Sequence, residues 1–287
     1  MYGDKGLDWL DALPALLDEF TQCWSLTLKP PFEPFSYNYV LPAVTRDGRD
    51  VVLKTGFPDP ELLTEIYALR HYAGQGSVQI LESNPGNQIM LLERVKPGDV
   101  LLDLDDDDAM TLIAARVMQQ LWKPIDPTDH FPASSTWMRT LDNIWPGSSP
   151  ITQPLVEAAQ RLKAALLKSE TKTVLLHGDL HHWNILSAQR QPWLAVDPKG
   201  IVGDPVFDVG ALLRNPVNRM LIMPDFKRST LRRLDILAEV LGFERQRMLS
   251  WSFVQAILAA HWSYEINGDG WDAFAHAAQV FFDLLLD

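Results

Sequence analysis

The chain has 287 residues, 47% hydrophobic and 10% aromatic, which excludes a disordered polymer and allows a large buried core. Its formal net charge of −12 argues against a nucleic-acid partner and favours a small cationic ligand. The single cysteine, Cys23, excludes an internal disulfide and points to a reducing, cytoplasmic compartment; beside Trp24 it reads as a buried apolar side chain.

Leu7, Trp9, Leu10, Leu13, Leu16, Leu17 and Phe20 recur at helical spacing, with acids between them and Pro14 as a break. This start lacks the basic head and uninterrupted apolar run of a signal peptide. No later apolar stretch approaches the roughly 20 residues of a membrane span, so no membrane partner is expected. A proline-rich connector follows at 29–34. Runs at 36–44 and 50–55 then flank an Asp47-Gly48 turn and read as a hairpin. Asp59 and Pro60 open a helix over 59–73, as cap and first residue. Two further strands, 78–82 and 88–95, turn at Asn84-Pro85-Gly86-Asn87.

From Pro97-Gly98 onward the character changes. Helical periods cover 108–122, 152–168, 229–242, 244–265 and 271–286, with short β segments at 173–177, 185–187 and 193–197. The expectation is an α+β chain of two lobes. Residues 1–96 form a small lobe of leading helix, antiparallel sheet and one inserted helix; 97–287 form a larger, mainly helical lobe. A small ligand belongs in the cleft between them. The acidic run Asp103 and Asp105 to Asp108 reads as helix N-terminal capping, with a cation site as the alternative.

The chemistry concentrates in His177-Gly178-Asp179-Leu180-His181-His182-Trp183-Asn184. A second apolar run then delivers Asp197, thirteen residues after Asn184. Phosphoryl transfer needs a carboxylate to orient the attacking hydroxyl and oxygen ligands for magnesium. Asp179 fits the first need, Asn184 and Asp197 the second.

This order resembles the Asp-x4-Asn and downstream metal-binding Asp of protein-kinase-like enzymes. The His-Gly-Asp opening and Gly203-Asp-Pro-Val-Phe-Asp-Val-Gly210 are similar to the aminoglycoside phosphotransferase branch. Ser36-Tyr-Asn-Tyr-Val40, the 176–186 stretch, Val196-Asp-Pro-Lys-Gly200 and Ala259-Ala-His-Trp-Ser-Tyr-Glu265 narrow the resemblance to the aminoglycoside/hydroxyurea antibiotic resistance kinases, which include streptomycin 6-phosphotransferases.

The resemblance implies a two-lobed protein-kinase-like fold, ATP and Mg2+ as cofactors, and a small hydroxylated substrate. A streptomycin-like aminoglycoside or hydroxyurea comes first; a sugar, choline or amino alcohol is the alternative. It also implies that Lys54 holds the α- and β-phosphates. Its ion-pair partner is Glu65, with Glu61 as the alternative, and the backbone of Glu93 and Val95 binds adenine. Residues 35–44 lack the glycines of a Gly-x-Gly-x-x-Gly loop, so Ser36 to Asn38 are expected to cover the phosphates. Asp208 is expected to brace the catalytic loop.

Two other classes compete. His177, His181 and His182 suggest a metal-dependent hydrolase, but i, i+4 ligation needs a helix and Gly178 makes this a loop. His177 reads instead as a brace for that loop. A nucleotide-binding pseudokinase would lack the base, the metal ligand or the lysine, and all three residue types are present. For substrate selection His261, Glu265 and Asp269 are the candidates, against a plain solvent-exposed helix end. Trp251, Trp262 and Trp271 read as core. The oligomeric state is not legible in the sequence.

Overall fold

The structure, a computed structural model, describes residues 3–32, 38–126, 131–145, 147–223 and 225–287. It opens with α1 (Gly3–Cys23), which tolerates Pro14 inside it and buries Leu13 and Phe20. Leu7 stays 62% exposed. Phe20 packs on Trp24 at 4.9 Å between ring centres and closes one side of the sheet core. Those two rings take the buried face, so Cys23 is exposed, contrary to the sequence expectation.

The first lobe is an antiparallel sheet. It contains β1 (Leu26–Leu28), β2 (Tyr39–Thr45), β3 (Asp50–Thr55), β4 (Ile80–Asn84) and β5 (Ile89–Glu93), in the order β1-β2-β3-β5-β4. The hairpin turn falls at Asp47-Gly48, where Gly48 takes the left-handed φ of 84° that favours glycine. Between β3 and β4 lies α2 (Pro60–Tyr72); Asp59 accepts the Glu61 N–H at 2.7 Å and Pro60 fills its first turn. β3 alternates strictly. Val51 and Leu53 point into the core under α1, and Val52 and Lys54 point to the opposite face.

After the sheet come β6 (Pro97–Val100) and α3 (Asp107–Leu121). Asp106 caps α3 by accepting the Ala109 N–H at 3.1 Å. Asp107 and Asp108 pair with Arg233 and Arg232, so those members of the acidic run are spent on capping and helix packing. Then come α4 (Ser134–Met138), α5 (Gln153–Lys168), β7 (Val174–Leu176), β8 (Ile185–Ala188), β9 (Trp193–Ala195) and β10 (Ile201–Gly203). α6 (Phe207–Leu213), α7 (Val217–Met220), α8 (Phe226–Leu241), α9 (Arg245–Asn267) and α10 (Trp271–Leu286) complete the chain.

β10 pairs with β7, and β8 lies between β6 and β9, all antiparallel. Helix α9 runs through the core: Met248, Trp251, Phe253, Val254 and Ile257 are fully buried on it. Trp262 and Trp271 are half-buried against the same core. Among the described residues, no helix is long and apolar enough to cross a membrane.

The sheet lobe and the helical lobe are bolted together behind the cleft. Val78 N–H donates to the Ala195 carbonyl at 2.9 Å, and Ala195 N–H to the Gly76 carbonyl at 2.8 Å. Lys123 Nζ donates to the Tyr72 carbonyl at 2.8 Å. Arg190, from the β8–β9 turn, pairs with Glu93 and donates to the carbonyls of Gly74 at 2.6 Å and Ser77 at 2.9 Å. These contacts fix the end of β5 over the second lobe and so shape the cleft.

Candidate active site

A cavity of about 550 Å³ lies between the lobes. Val40, Val52 and Leu92 come from the sheet above it and Leu186 and Val196 from the second lobe below. Glu93 and Val95 line it where the chain crosses between lobes, and Lys54, Glu65, Asn184, Asp197 and Lys199 supply its charged and polar groups. Asn38 also lines it, while Ser36 lies outside the described residues.

Lys54 is buried and bonds Glu65 Oε1 at 2.6 Å and the Asp197 carboxylate. Burial pushes the Glu65 carboxyl up to about 7, against the pull of Lys54. Burial would lower the Lys54 ammonium, but Glu65 and Asp197 outweigh it and keep it charged. Glu61, one turn earlier on α2, meets a different cation, Lys199, at 3.4 Å.

Strand β7 ends at His177, and the chain turns at Gly178, whose φ of 85° lies in the left-handed region. Asp208, at the start of α6, braces this turn. Its carboxylate accepts Gly178 N–H at 2.8 Å, His177 N–H at 3.1 Å and Trp122 Nε1–H at 3.0 Å. Burial raises the Asp208 carboxyl to about 6 and the three donors oppose that rise. His177 is fully buried: one ring nitrogen lies 2.9 Å from the Val196 carbonyl, and the other accepts Asp179 N–H at 3.3 Å. Burial lowers its pKa to about 4, so the ring is neutral and links the two loops. With both nitrogens spent on backbone, His177 is not available as a ligand. The three-histidine hydrolase loses its first member.

Asp179 carries Arg214 at 2.9 Å on one oxygen and His181 at 3.4 Å on the other. Burial would raise its carboxyl, but His181, Arg214 and Lys199 hold it well below the usual carboxylate range. Asn184 uses its amide N–H to hold the Asp179 carbonyl at 2.9 Å. The Val196 N–H in turn donates to the Asn184 carbonyl at 2.9 Å. Asp197 has a φ of 60°, rare for a non-glycine residue; the Val196 bonds before it and the Lys199 N–H bond to the His177 carbonyl after it help impose that conformation. Lys54 chiefly, against burial, holds the Asp197 carboxyl well below the ordinary range, with Lys199 adding to the effect.

The structure thus gathers Lys54, Glu65, Asn184 and Asp197 in one cavity and ties Asp179 to it through Asn184. It does not bring His261, Glu265 and Asp269 there. His261 is buried on α9 and lies 3.4 Å from Glu265, which is 55% exposed at the side chain. Asp269 is exposed, and its carbonyl accepts the Ser263 hydroxyl at 3.0 Å. Arg214, Lys199 and Trp122 were not singled out by sequence reasoning. Lys199 sits inside Asp197-Pro198-Lys199-Gly200, so its motif offered a pointer; Arg214 and Trp122 stand in no motif.

The donor set suits an adenine nucleotide with a hard divalent cation. Apolar walls match a planar base, Lys54 matches phosphate, and an amide and a carboxylate offer oxygens to a metal that takes its remaining ligands from phosphate and water. The family of aminoglycoside/hydroxyurea antibiotic resistance kinases matches residues 28–267. The streptomycin 6-kinase of Streptomyces glaucescens is 33% identical over 270 residues, covering 92% of this chain and 87% of that protein. The hydroxyurea phosphotransferase of Kitasatospora aureofaciens is 31% identical over 280 residues, covering 92% and 76%. The crystal structure of the choline kinase LicA from Streptococcus pneumoniae shares the fold, with a TM-score of 0.67 at 12% identity over 95% of this chain and 99% of that one. By its sequence match, the chain belongs to the aminoglycoside/hydroxyurea antibiotic resistance kinase family.

Proposed function

We propose that this small-molecule phosphotransferase moves the γ-phosphate of ATP, with Mg2+, onto a hydroxyl of a streptomycin-like aminocyclitol. The observation that carries the reading is the convergence of Asp179, Asn184 and Asp197 beside the Lys54–Glu65 pair. Asp197 and the Asn184 side-chain oxygen would hold the metal, since the Asn184 nitrogen is spent on the Asp179 carbonyl. Magnesium held there would offset the charge of the phosphate groups.

Lys54, kept charged and aimed by Glu65, binds phosphate. At the lobe crossing the Glu93 N–H is committed to the Gln79 carbonyl at 2.9 Å, so adenine is read by the Glu93 carbonyl and the Val95 amide. Asp179 orients the acceptor hydroxyl and takes its proton. Held ionised by Arg214 and His181, it is a weak base; that suits a loose transition state in which the nucleophile needs aim more than early deprotonation. His177 and Asp208 hold the loop without touching substrate. The lobes divide near residue 96, and the enzyme acts in the cytoplasm on ATP.

The net charge of −12 and the streptomycin 6-kinase relatives favour a cationic acceptor. One feature supports a second reading. The Arg214 guanidinium beside Asp179 disfavours a cationic group next to the reacting hydroxyl and favours a small neutral acceptor of the hydroxyurea type. An ATP-consumption screen across streptomycin, other aminoglycosides, hydroxyurea, sugars, choline and amino alcohols, with mass detection of the product, decides. Phosphorylated streptomycin is the expected product. Turnover confined to sugars or choline would overturn the acceptor, and none with any acceptor would favour the pseudokinase.

A further inference from the structure

The cleft holds two lysine–glutamate pairs built from one helix. Glu65 of α2 bonds Lys54 at 2.6 Å, and Glu61, a turn earlier, lies 3.4 Å from Lys199. Both lysines also face Asp197, Lys199 at 3.8 Å. The pairs differ in how far their charge is spent. Lys54 is 8% exposed with close contacts to two carboxylates, whereas Lys199 is 27% exposed and its contacts exceed ordinary hydrogen-bond length. An ammonium has three donors, and among the described residues no hydrogen bond occupies those of Lys199, which lines the cavity.

The backbone of Lys199 is clamped. Its N–H donates to the His177 carbonyl at 2.7 Å, and its carbonyl accepts the Thr64 hydroxyl at 2.6 Å. The next residue, Gly200, has a φ of 62°, and a Cβ there would fall 2.6 Å from the Thr64 carbonyl oxygen. This residue therefore cannot drift from α2 or from the catalytic loop, while its side chain stays adjustable. The Lys199 ammonium faces Asp197 and Glu61 and lies within electrostatic reach of Asp179. Lys199 is thus within the field of both the carboxylate assigned to the metal and the carboxylate assigned to the acceptor hydroxyl. The transferred phosphoryl must pass between those two.

We infer that Lys199 is a second phosphate-binding cation, serving the terminal phosphate as Lys54 serves the inner ones. This rests on the nucleotide site proposed above. It supplies charge in a chain whose residues 35–44 contain no glycine and so lack the sequence of the glycine-rich loop that wraps phosphates with backbone N–H groups.

Calorimetric binding of Mg-ATP and Mg-ADP to the full chain, without acceptor, tests it. Lys199→Met should weaken Mg-ATP about tenfold or more, the worth of a charge-assisted bond, and Mg-ADP less than about threefold. Lys199→Arg should recover most of the loss, and Lys54→Met should weaken both nucleotides together. The unfolding midpoint of nucleotide-free Lys199→Met should match wild type; if that variant fails to fold, Lys199→Gln is measured in its place. Equal weakening of both nucleotides, or no weakening, would overturn the inference alone, with the nucleotide site intact. Wild-type protein that binds neither nucleotide would overturn the site and this inference with it.

Discussion

Two ends of the molecule, the cleft around Lys54 and the last turns of α9, are built differently. In and behind the cleft, charged groups are held by partners distant in the chain: Lys54 reaches Asp197 across 143 positions, and Asp208 gathers donors from the catalytic turn and from Trp122. At the far end of α9, Glu265 pairs, among the described residues, only with its helical neighbour His261, and Asp269 is engaged there through its backbone carbonyl. Preorganised charge in a water-poor site is what stabilises a transition state, and it requires such cross-bracing. Exposed carboxylates on one helix face provide no comparable frame. Arg214 stands at the border, fixed to Asp179 and lying over the Phe274 ring at 5.9 Å.

The sharpest way to break this contrast is Asp179→Asn. Removing the carboxylate should lower kcat by about 10³-fold, within the range of general-base groups. Calorimetric Mg-ATP affinity should stay within about twofold, because the Asp179 hydrogen bond to the cavity-lining Asn184 is made by its backbone carbonyl, which the substitution leaves in place. Loss of nucleotide binding in step with kcat would show that the Asp179 carboxylate and the nucleotide site are not separable.

Asp208→Ala probes the bracing itself. It strands the Gly178 and His177 N–H groups and the Trp122 indole in a dry interior, at a combined cost of about 3 kcal/mol. Urea unfolding should report that loss, and kcat should fall more than Mg-ATP affinity. A variant as stable as wild type would mean that the turn is held by something other than this carboxylate.

What could be read from the sequence follows the same division. The hairpin was legible because Asp47-Gly48 sits between alternating runs, and the candidates at 179, 184 and 197 were legible because their spacing is short and fixed. For Lys54 the sequence points to Glu65 first, with Glu61 one turn earlier on the same helix as the alternative; the structure pairs Lys54 with Glu65 and gives Glu61 its own lysine, Lys199. Helix α6 was missed because all seven of its residues are buried, which erases the amphipathic period, and β1 and β10 are only three residues long. Arg214 was illegible for another reason: its role depends on where the chain folds back to Asp179, and no local pattern records that.

The smallest effect is expected at Glu265. Its carboxylate is more than half exposed, and its contact with His261 spans one turn of helix, an arrangement worth a few tenths of a kcal/mol. An exposed carboxylate could still attract a guanidinium, but the attraction would be screened by salt and shared with the rest of an acidic surface. Glu265→Gln should therefore change KM for a cationic acceptor by less than about threefold at physiological salt, with kcat and Mg-ATP affinity unchanged. A tenfold rise in KM for streptomycin, absent for hydroxyurea, would place a real acceptor contact at the end of α9.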